Sequence, residues 1–213
     1  MSKSTTFSVV QSFVMLVATT LSLNAMGADR TASSTSVVPQ LSQSFVWYDG
    51  NREHKIWLNP DVVAEFNPSQ QGATAARSAD ANAQMLPMKR RQGAVRLWKM
   101  NNAGGAAVRS LATSNAVGKY SPVFHDGPSS TGAMRALPGN VIVYLNPTWD
   151  AAAVAKWVKS RNLEVVKKLE IGPNIYVIKT APGLDALKVA NTLYLSGEVA
   201  AAFPDWWKEV STR

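Results

Sequence analysis

The side chains best suited to catalysis in this sequence are two histidines, His54 and His125. Their separation gives neither the HxH nor the HExxH spacing of a zinc site. No nucleophile elbow, P-loop or dinucleotide fingerprint is present, and the absence of cysteine excludes thiol chemistry. Only a Ser-His-Asp arrangement assembled in space stays open. We therefore expect both histidines to be solvated turn residues. The sequence predicts a protein that is not an enzyme and uses no metal or cofactor.

The first residues have the organisation of a secretory signal peptide. Lys3 precedes an uncharged, mostly apolar segment, and small residues follow around Gly27. Polar residues dilute the apolar segment too much for a membrane anchor, which needs about 20 mainly apolar residues. We predict a signal peptide over residues 1–27 and a chain exported to the periplasm or secreted, with no membrane contact after cleavage.

The formal net charge is +8, a value compatible with nucleic acid or with an acidic protein partner. The single basic cluster is Lys89-Arg90-Arg91, and no aromatic residues are interleaved with it. Because the chain is expected to be exported, we predict that it does not bind nucleic acid.

Composition divides the rest of the chain into five segments. They are a Ser/Thr/Ala-rich flexible extension (28–43), a small mostly-β domain (44–128), a linker (129–137), a βαββαβ domain (138–204) and a C-terminal tail (205–213). Alternating apolar residues predict short strands in the first of these domains, and residues 67–84 are predicted to be a loop.

The last third of the chain has the clearest pattern. It predicts strands over 140–145, 163–170, 175–179 and 199–203. One helix is expected to begin at Thr148 as N-cap, and another is expected between Gly183 and Ser196. Right-handed crossovers place both helices on one face of a four-stranded antiparallel sheet. The second face must meet water, the N-terminal β unit or a partner. We assign Ile142, Tyr144, Tyr176 and Ile178 to that face, or their neighbours if the pleat is reversed.

Several of these segments resemble known proteins. Strands 140–145 and 175–178 resemble subtilisin-like protease propeptides, the fervidolysin type in particular, and so do LEVVKKL (163–169), ALKVANTL (186–193) and SGEVAAAFPD (196–205). Segments 45–66, SPVF (121–124), ALPGN (136–140) and PDWW (204–207) resemble the ASP external chaperone family, whose founding member is the partner of a kexin-like bacterial subtilase. The propeptide similarity covers about residues 137–207.

The resemblance implies an α+β chain with a C-terminal ferredoxin-like βαββαβ propeptide module, preceded by a small mostly-β domain. Because no protease domain follows in this sequence, we expect the protease to be a separate polypeptide. The implied function is that of an exported chaperone and inhibitor of a subtilisin-like, kexin-like serine protease, bound as a 1:1 heterodimer.

The resemblance also implies which residues meet the protease. The sheet face would dock on the enzyme, and a tail of Val210, Ser211, Thr212 and Arg213 would enter the substrate cleft as an added strand. Arg213 is expected in the primary specificity pocket. The interface residues expected on this basis are Asp205, Trp206, Trp207, Glu198, Tyr144 and Tyr176. One tryptophan would anchor in the domain and the other in the partner, unless both lie in the local core.

Two other classes of function stay open. An exported, non-catalytic binding or scaffold module could use the same sheet for a different partner. A small exported hydrolase would instead need a catalytic arrangement that the sequence does not reveal.

Overall fold

A computed structural model describes residues 41–88, 94–101, 110–111 and 119–209. The predicted signal peptide, most of the predicted extension and tail residues 210–213 lie outside the described residues. None of the helices described is long and apolar enough to cross a membrane.

The described part of the chain is α+β, as predicted, with three helices and two antiparallel sheets. The strands are β1 (Ser44–Asp49), β2 (Arg52–Phe66), β3 (Gln84–Met85), β4 (Val95–Lys99), β5 (Lys119–His125), β6 (Met134–Ala136), β7 (Val141–Tyr144), β8 (Val165–Leu169), β9 (Ile175–Ile178), β10 (Ala201–Pro204) and β11 (Trp207–Lys208). The helices are α1 (Gln70–Ala79), α2 (Ala151–Ser160) and α3 (Leu184–Leu195).

The larger sheet is built around β2. Its strand order is β11-β6-β5-β2-β4-β3, and β1 pairs with the first half of β2. Asn59-Pro60-Asp61 has the composition of a turn and favours two separate short strands, but β2 runs through this segment. The register with β5 shifts between Asn59 and Val63, so a bulge accommodates Pro60, which has no N–H for the ladder. Asn59 Oδ1 accepts the Asp61 N–H at 3.0 Å.

Helix α1 covers one part of this sheet, where the sequence predicted a loop. Its N-cap is Ser69, whose hydroxyl accepts the Gly72 N–H at 3.0 Å. Ala73 and Ala76 are buried against Trp98. Because alanine and glycine form most of the buried face, the segment lacks the strong apolar stripe that identifies a surface helix.

A buried carboxylate connects α1 to the sheet. Glu65 is fully buried, and its oxygens accept the Ser69 N–H at 3.1 Å and the Trp98 indole N–H at 2.9 Å. The Arg96 guanidinium lies 3.6 Å from the same carboxylate. Burial first, and then the negative charge of Glu65, raise the pKa of Tyr120 to about 12. A side chain on residue 72 would collide with Glu65, which accounts for the glycine inside the helix.

The smaller sheet is formed by the last third of the chain, with elements in the order β7-α2-β8-β9-α3-β10. Its strand order is β10-β7-β9-β8, and every neighbouring pair is antiparallel. The predicted strands and helices are all present here, with ends shifted by one or two residues. The N-cap of α2 is Asp150 and not Thr148, because the Asp150 carboxylate accepts the Ala153 N–H at 2.8 Å.

The two sheets pack against each other, and the described residues belong to one compact unit. Trp47 and Phe124 of the larger sheet form one hydrophobic cluster with Ala186 and Leu187 of α3. Asn191 of α3 donates to the Val46 carbonyl at 2.8 Å. Residues 129–137, predicted to be a linker, instead contain β6, and Leu137 is fully buried.

Candidate protein-binding face

The smaller sheet has two chemically distinct faces. On one face, Val141, Val143, Ile178 and Ala202 pack against the two helices. Strand residues alternate between faces, so their neighbours point away from the helices. That second face, called the distal face below, is defined by two rows of paired residues, Phe203-Ile142-Val177-Lys167 and Ala201-Tyr144-Ile175-Leu169.

The distal face is mostly apolar. Ile142, Tyr144 and Phe203 are partly exposed, whereas Ile175 and Val177 are buried. The Tyr144 and Phe203 rings lie with centroids 5.7 Å apart. Of the residues on this face, Phe203 alone packs against one of the described clusters of buried hydrophobic residues. That cluster contains Trp47 and Phe124 of the larger sheet. Ile171, in the turn after β8, is 74% exposed.

Two charged residues stand at one end of the distal face. Asp205 follows Phe203 by two positions, and its backbone N–H donates to the Asn140 carbonyl at 3.3 Å. Burial raises the pKa of the Asp205 carboxyl, and the positive charge of Lys167 opposes this effect. Asp205 makes no ion pair with the described residues, so it is a half-buried acid next to an apolar surface.

Two of the predicted interface residues, Tyr144 and Asp205, lie together at the distal face. Tyr176 does not, and its assignment to the same face as Tyr144 is wrong. Tyr176 pairs with Val143 and packs under the helices, whereas Tyr144 pairs with Ile175. Sequence periodicity could not choose between the faces of β9, since all four of its residues are apolar or aromatic.

Trp206 is held inside the body of the protein. Its ring lies 5.5 Å from that of Trp47 and 6.2 Å from that of Phe124, in edge-on geometry. The Arg135 guanidinium lies 5.7 Å from the Trp206 ring centroid. Trp206 therefore anchors the segment after β10 to the larger sheet.

Trp207 lies on the opposite side of the chain and is also packed internally. It pairs with Ala136 in the two-residue strand β11 and joins the hydrophobic cluster that contains Phe66 and Leu97. The larger sheet supplies a packing site on each side of the segment, so both tryptophans contact the body of the protein, and a partner contact of either one stays a prediction. The alternative, in which both lie in the local core, describes the structure.

Glu198 is used within the chain. Its carboxylate accepts the Trp157 indole N–H at 3.1 Å and pairs with the Arg161 guanidinium. These contacts join the segment before β10 to the end of α2. Glu198 therefore has a structural role and lies away from the distal face.

The predicted tail residues 210–213 lie outside the described residues, but the point where they begin is fixed. The Glu209 N–H donates to the Met134 carbonyl at 2.8 Å, next to the pairing of β11 with β6. The tail therefore leaves the protein from an edge of the larger sheet.

The histidines are not the solvated turn residues that the sequence suggested. His54 is partly buried and stacks on Trp47, with ring centroids 4.6 Å apart. His125 is 1% exposed. Its Nδ1 donates to the Gly132 carbonyl at 3.0 Å, and its Nε2 therefore accepts from the Asn59 amide at 3.1 Å. Among the described residues no cluster of three or more His, Asp or Glu could hold a metal ion.

The neutral form of His125 should stabilise the fold above about pH 6.5. Burial lowers its pKa from 6.5, and Gly132, Asp126 and Glu209 oppose the effect. Because the unfolded chain then binds more protons, this stability is present above the unfolded pKa and is lost as pH falls through the folded pKa. We expect the difference in unfolding free energy between the protein and its His125→Gln variant to shrink as pH is lowered from 7.5. Urea titrations at several pH values measure it, and a pH-independent difference would contradict the prediction.

The comparisons with known proteins identify no relative. No family model, curated protein or solved structure matches this chain.

Sequence reasoning missed most of the distal face. The sequence did not indicate Phe203, Val177 and Lys167. These residues form one row across the sheet with Ile142, because Phe203 and Val177 both pair with Ile142 and Lys167 pairs with Val177. The detectable signal was the two-residue spacing of Phe203 and Asp205, which places a large apolar side chain and an acid on the same face.

Proposed function

We propose that this protein is an exported intermolecular chaperone and inhibitor of a separately encoded subtilisin-like, kexin-like serine protease. One copy binds one protease molecule through the distal face, and residues 210–213 enter the substrate cleft. The distal face carries this proposal, since Ile142, Tyr144 and Phe203 form an apolar surface on the side of the sheet opposite to both helices. Partly exposed aromatic and aliphatic surfaces of this kind are typical of protein interfaces.

The arrangement of elements supports the resemblance to propeptides that the sequence segments suggest. The element order β7-α2-β8-β9-α3-β10 and the strand order β10-β7-β9-β8 favour a ferredoxin-like unit over residues 138–204. The propeptides that the sequence resembles use a unit of this kind. In this proposal the larger sheet supports the unit at α3 and at Phe203 of β10, and the rest of the distal face, including Ile142 and Tyr144, binds the protease.

Asp205 supplies a polar contact at the end of the face. A half-buried acid without an ion-pair partner among the described residues can accept N–H groups from the N-terminus of a helix in the protease. The positive end of that helix would lower the pKa of the Asp205 carboxyl on binding. The interface would therefore combine apolar burial with one charge-assisted contact.

The tail extends the interface into the cleft. Four extended residues beyond Glu209 span about 13 Å, enough for four consecutive subsites. Main-chain hydrogen bonds to the protease would provide affinity, and Arg213 would fill the specificity pocket of a kexin-like enzyme. The free carboxylate of Arg213 would resemble the acid product of cleavage.

Inhibition and chaperoning follow from the same binding energy. A ligand that binds only the folded protease stabilises it by about 4 kcal/mol at a thousandfold excess over Kd. In this proposal the distal face matches only the folded protease. The protein would therefore favour the native protease while blocking its cleft.

Deleting residues 210–213 should weaken inhibition by about tenfold or more, which corresponds to about 1.4 kcal/mol. The deleted residues follow the last described contact of the chain, at Glu209, so the unfolding free energy should be unchanged. Inhibition constants against purified bacterial kexin-like and subtilisin-like proteases, with a fluorogenic substrate carrying arginine at the cleaved bond, measure the effect.

Two results would contradict the proposal. An inhibition constant that is unchanged by the deletion rejects the tail in the cleft. Failure of the intact protein to inhibit or stabilise any member of the protease panel at micromolar concentration rejects the protease as partner. The distal face would then favour the second candidate, an exported scaffold module with a different protein partner.

A further inference from the structure

A second surface lies at the far edge of the smaller sheet. The strand order ends at β8, which pairs only with β9 among the described residues. An edge strand presents unpaired N–H and C=O groups that another extended chain can join. On β8, Val165 is 38% and Val166 is 51% exposed, so apolar side chains accompany this free edge.

An apolar groove runs beside the same edge. It has a volume of about 510 Å³ and lies between α2 and β8. Val154, Val158, Leu163, Val165 and Tyr176 line it, and Lys159 stands at its rim. A strand added to β8 would direct alternate side chains towards this groove.

Exposed lysines flank the groove and the free edge of β8, and the exposed acid Glu170 lies beyond the end of the strand. Lys167 and Lys168 are exposed on β8, and Lys159 is exposed on α2. The nearby Glu164 is already neutralised by Lys179, whose ammonium donates to both carboxylate oxygens at 2.9 Å. Lys159 and Lys168 have no ion-pair partner among the described residues. The edge therefore attracts an acidic segment.

A second copy of this chain does not match the edge. Antiparallel pairing of two β8 strands about their central residue would place Lys167 of one copy directly opposite Lys167 of the other. Like charges directly opposite each other destabilise a strand pair. The same lysines would instead pair with carboxylates on a strand of different sequence.

We propose that β8 and its groove bind an extended acidic segment of another protein, which joins the sheet as a fifth strand. Its apolar side chains occupy the groove between Val158 and Val165, and its carboxylates, which alternate onto the other face of the sheet, contact Lys167. Lys167 also stands at the end of the distal face, but the free edge of β8 and the groove lie outside that face, and the proposal does not depend on the identity of the protease. It would allow the protein to hold a second partner, or a second segment of the first, at the edge remote from β10.

The site can be tested with a fluorescein-labelled peptide of alternating valine and glutamate, about eight residues long to match a strand. Two matched probes separate the contributions. One replaces every glutamate by lysine, and the other carries N-methyl groups on alternate backbone nitrogens and so cannot complete a ladder. Anisotropy titrations with the protein are compared with the Lys167→Glu/Lys168→Glu double variant. The control is Lys55→Glu/Lys188→Glu, which makes the same charge change at exposed positions outside β8 and its groove.

The valine–glutamate peptide is expected to bind at least tenfold more tightly than either matched probe, and the β8 double variant to bind it at least tenfold more weakly than the control. Equal binding of the N-methylated probe would overturn the proposal, since attraction of charge alone would then explain the result. Absence of binding at millimolar peptide would also overturn it. A dimer in sedimentation that disappears in the β8 double variant would assign the edge to a second copy of the chain instead.

Discussion

The Glu65→Ala variant is expected to lose about 3 to 5 kcal/mol of unfolding free energy, the largest effect of any single change considered for this fold. Glu65 is fully buried, and its removal leaves the Trp98 indole N–H and the Ser69 N–H without their acceptor. It also leaves Arg96 without its counter-charge. Since a small domain is stable by only about 5 to 15 kcal/mol, much of the chain should unfold at low denaturant concentration.

Chemical denaturation followed by tryptophan fluorescence measures this loss, because Trp98 reports directly on the site. Glu164→Ala is the matched control, since it removes a closer ion pair, 2.9 Å from Lys179, at the surface. Exposed pairs contribute about 1 kcal/mol or less. A Glu65→Ala effect no larger than the Glu164→Ala effect would mean that the buried carboxylate is not what joins α1 to the sheet.

The Tyr144→Lys variant is expected to weaken binding of the protease by about thirtyfold, or about 2 kcal/mol. Tyr144 lies near the centre of the distal face, against Phe203 and beside Ile175. Burying a lysine there would place an unpaired ammonium in an apolar interface. The measurement is the inhibition constant for the kexin-like protease, together with the unfolding free energy of the variant.

Leu195→Lys provides the control for this experiment. Leu195 is 65% exposed at the end of α3, on the helix side of the sheet, so the same kind of change is made away from the distal face. Its inhibition constant should equal that of the unchanged protein. If the two variants inhibit equally well, the protease does not bind the distal face, and the proposed function loses its main support.

The smaller sheet could be predicted from the sequence because its signals are local. Asn162 adopts a left-handed conformation after α2, and Gly197 does so after α3, as stop signals in these positions require. The two central strands, β7 and β9, are short runs of valine, isoleucine and tyrosine. The start, the end and the apolar periodicity of each element can therefore be read from its own segment of sequence.

The larger sheet could not be predicted in the same way, because distant residues determine it. The turn signal at Asn59 is overridden by pairing with β5, and the Asn59 amide finds its partner in His125, 66 positions further along the chain. The loop predicted before β3 becomes helix α1 because Glu65 and Trp98 provide its packing site. Neither contact is visible in a local window of sequence.

For the candidate site, the sequence could indicate an apolar sheet and an acid beyond its last strand, but not how the residues divide between faces. The pairing register of β7 and β9 sets Tyr144 opposite Ile175 and Tyr176 opposite Val143. A register shifted by one residue would have placed the two tyrosines on the same face. The positions of Trp206 and Trp207 depend on Trp47 and Ala136, which are distant in the sequence.

The pairing of β11 with β6 has a consequence for how the chain reaches its native state. The larger sheet takes its first six strands from residues 44–136 and its edge strand from Trp207–Lys208, with the entire smaller sheet between them. It remains unfinished until the intervening seventy or so residues, a long loop in entropic terms, have been closed. Late, non-local closure of this kind slows folding. During synthesis or export, a chain halted before Trp206 would lack both the indole beside Trp47 and the strand on β6.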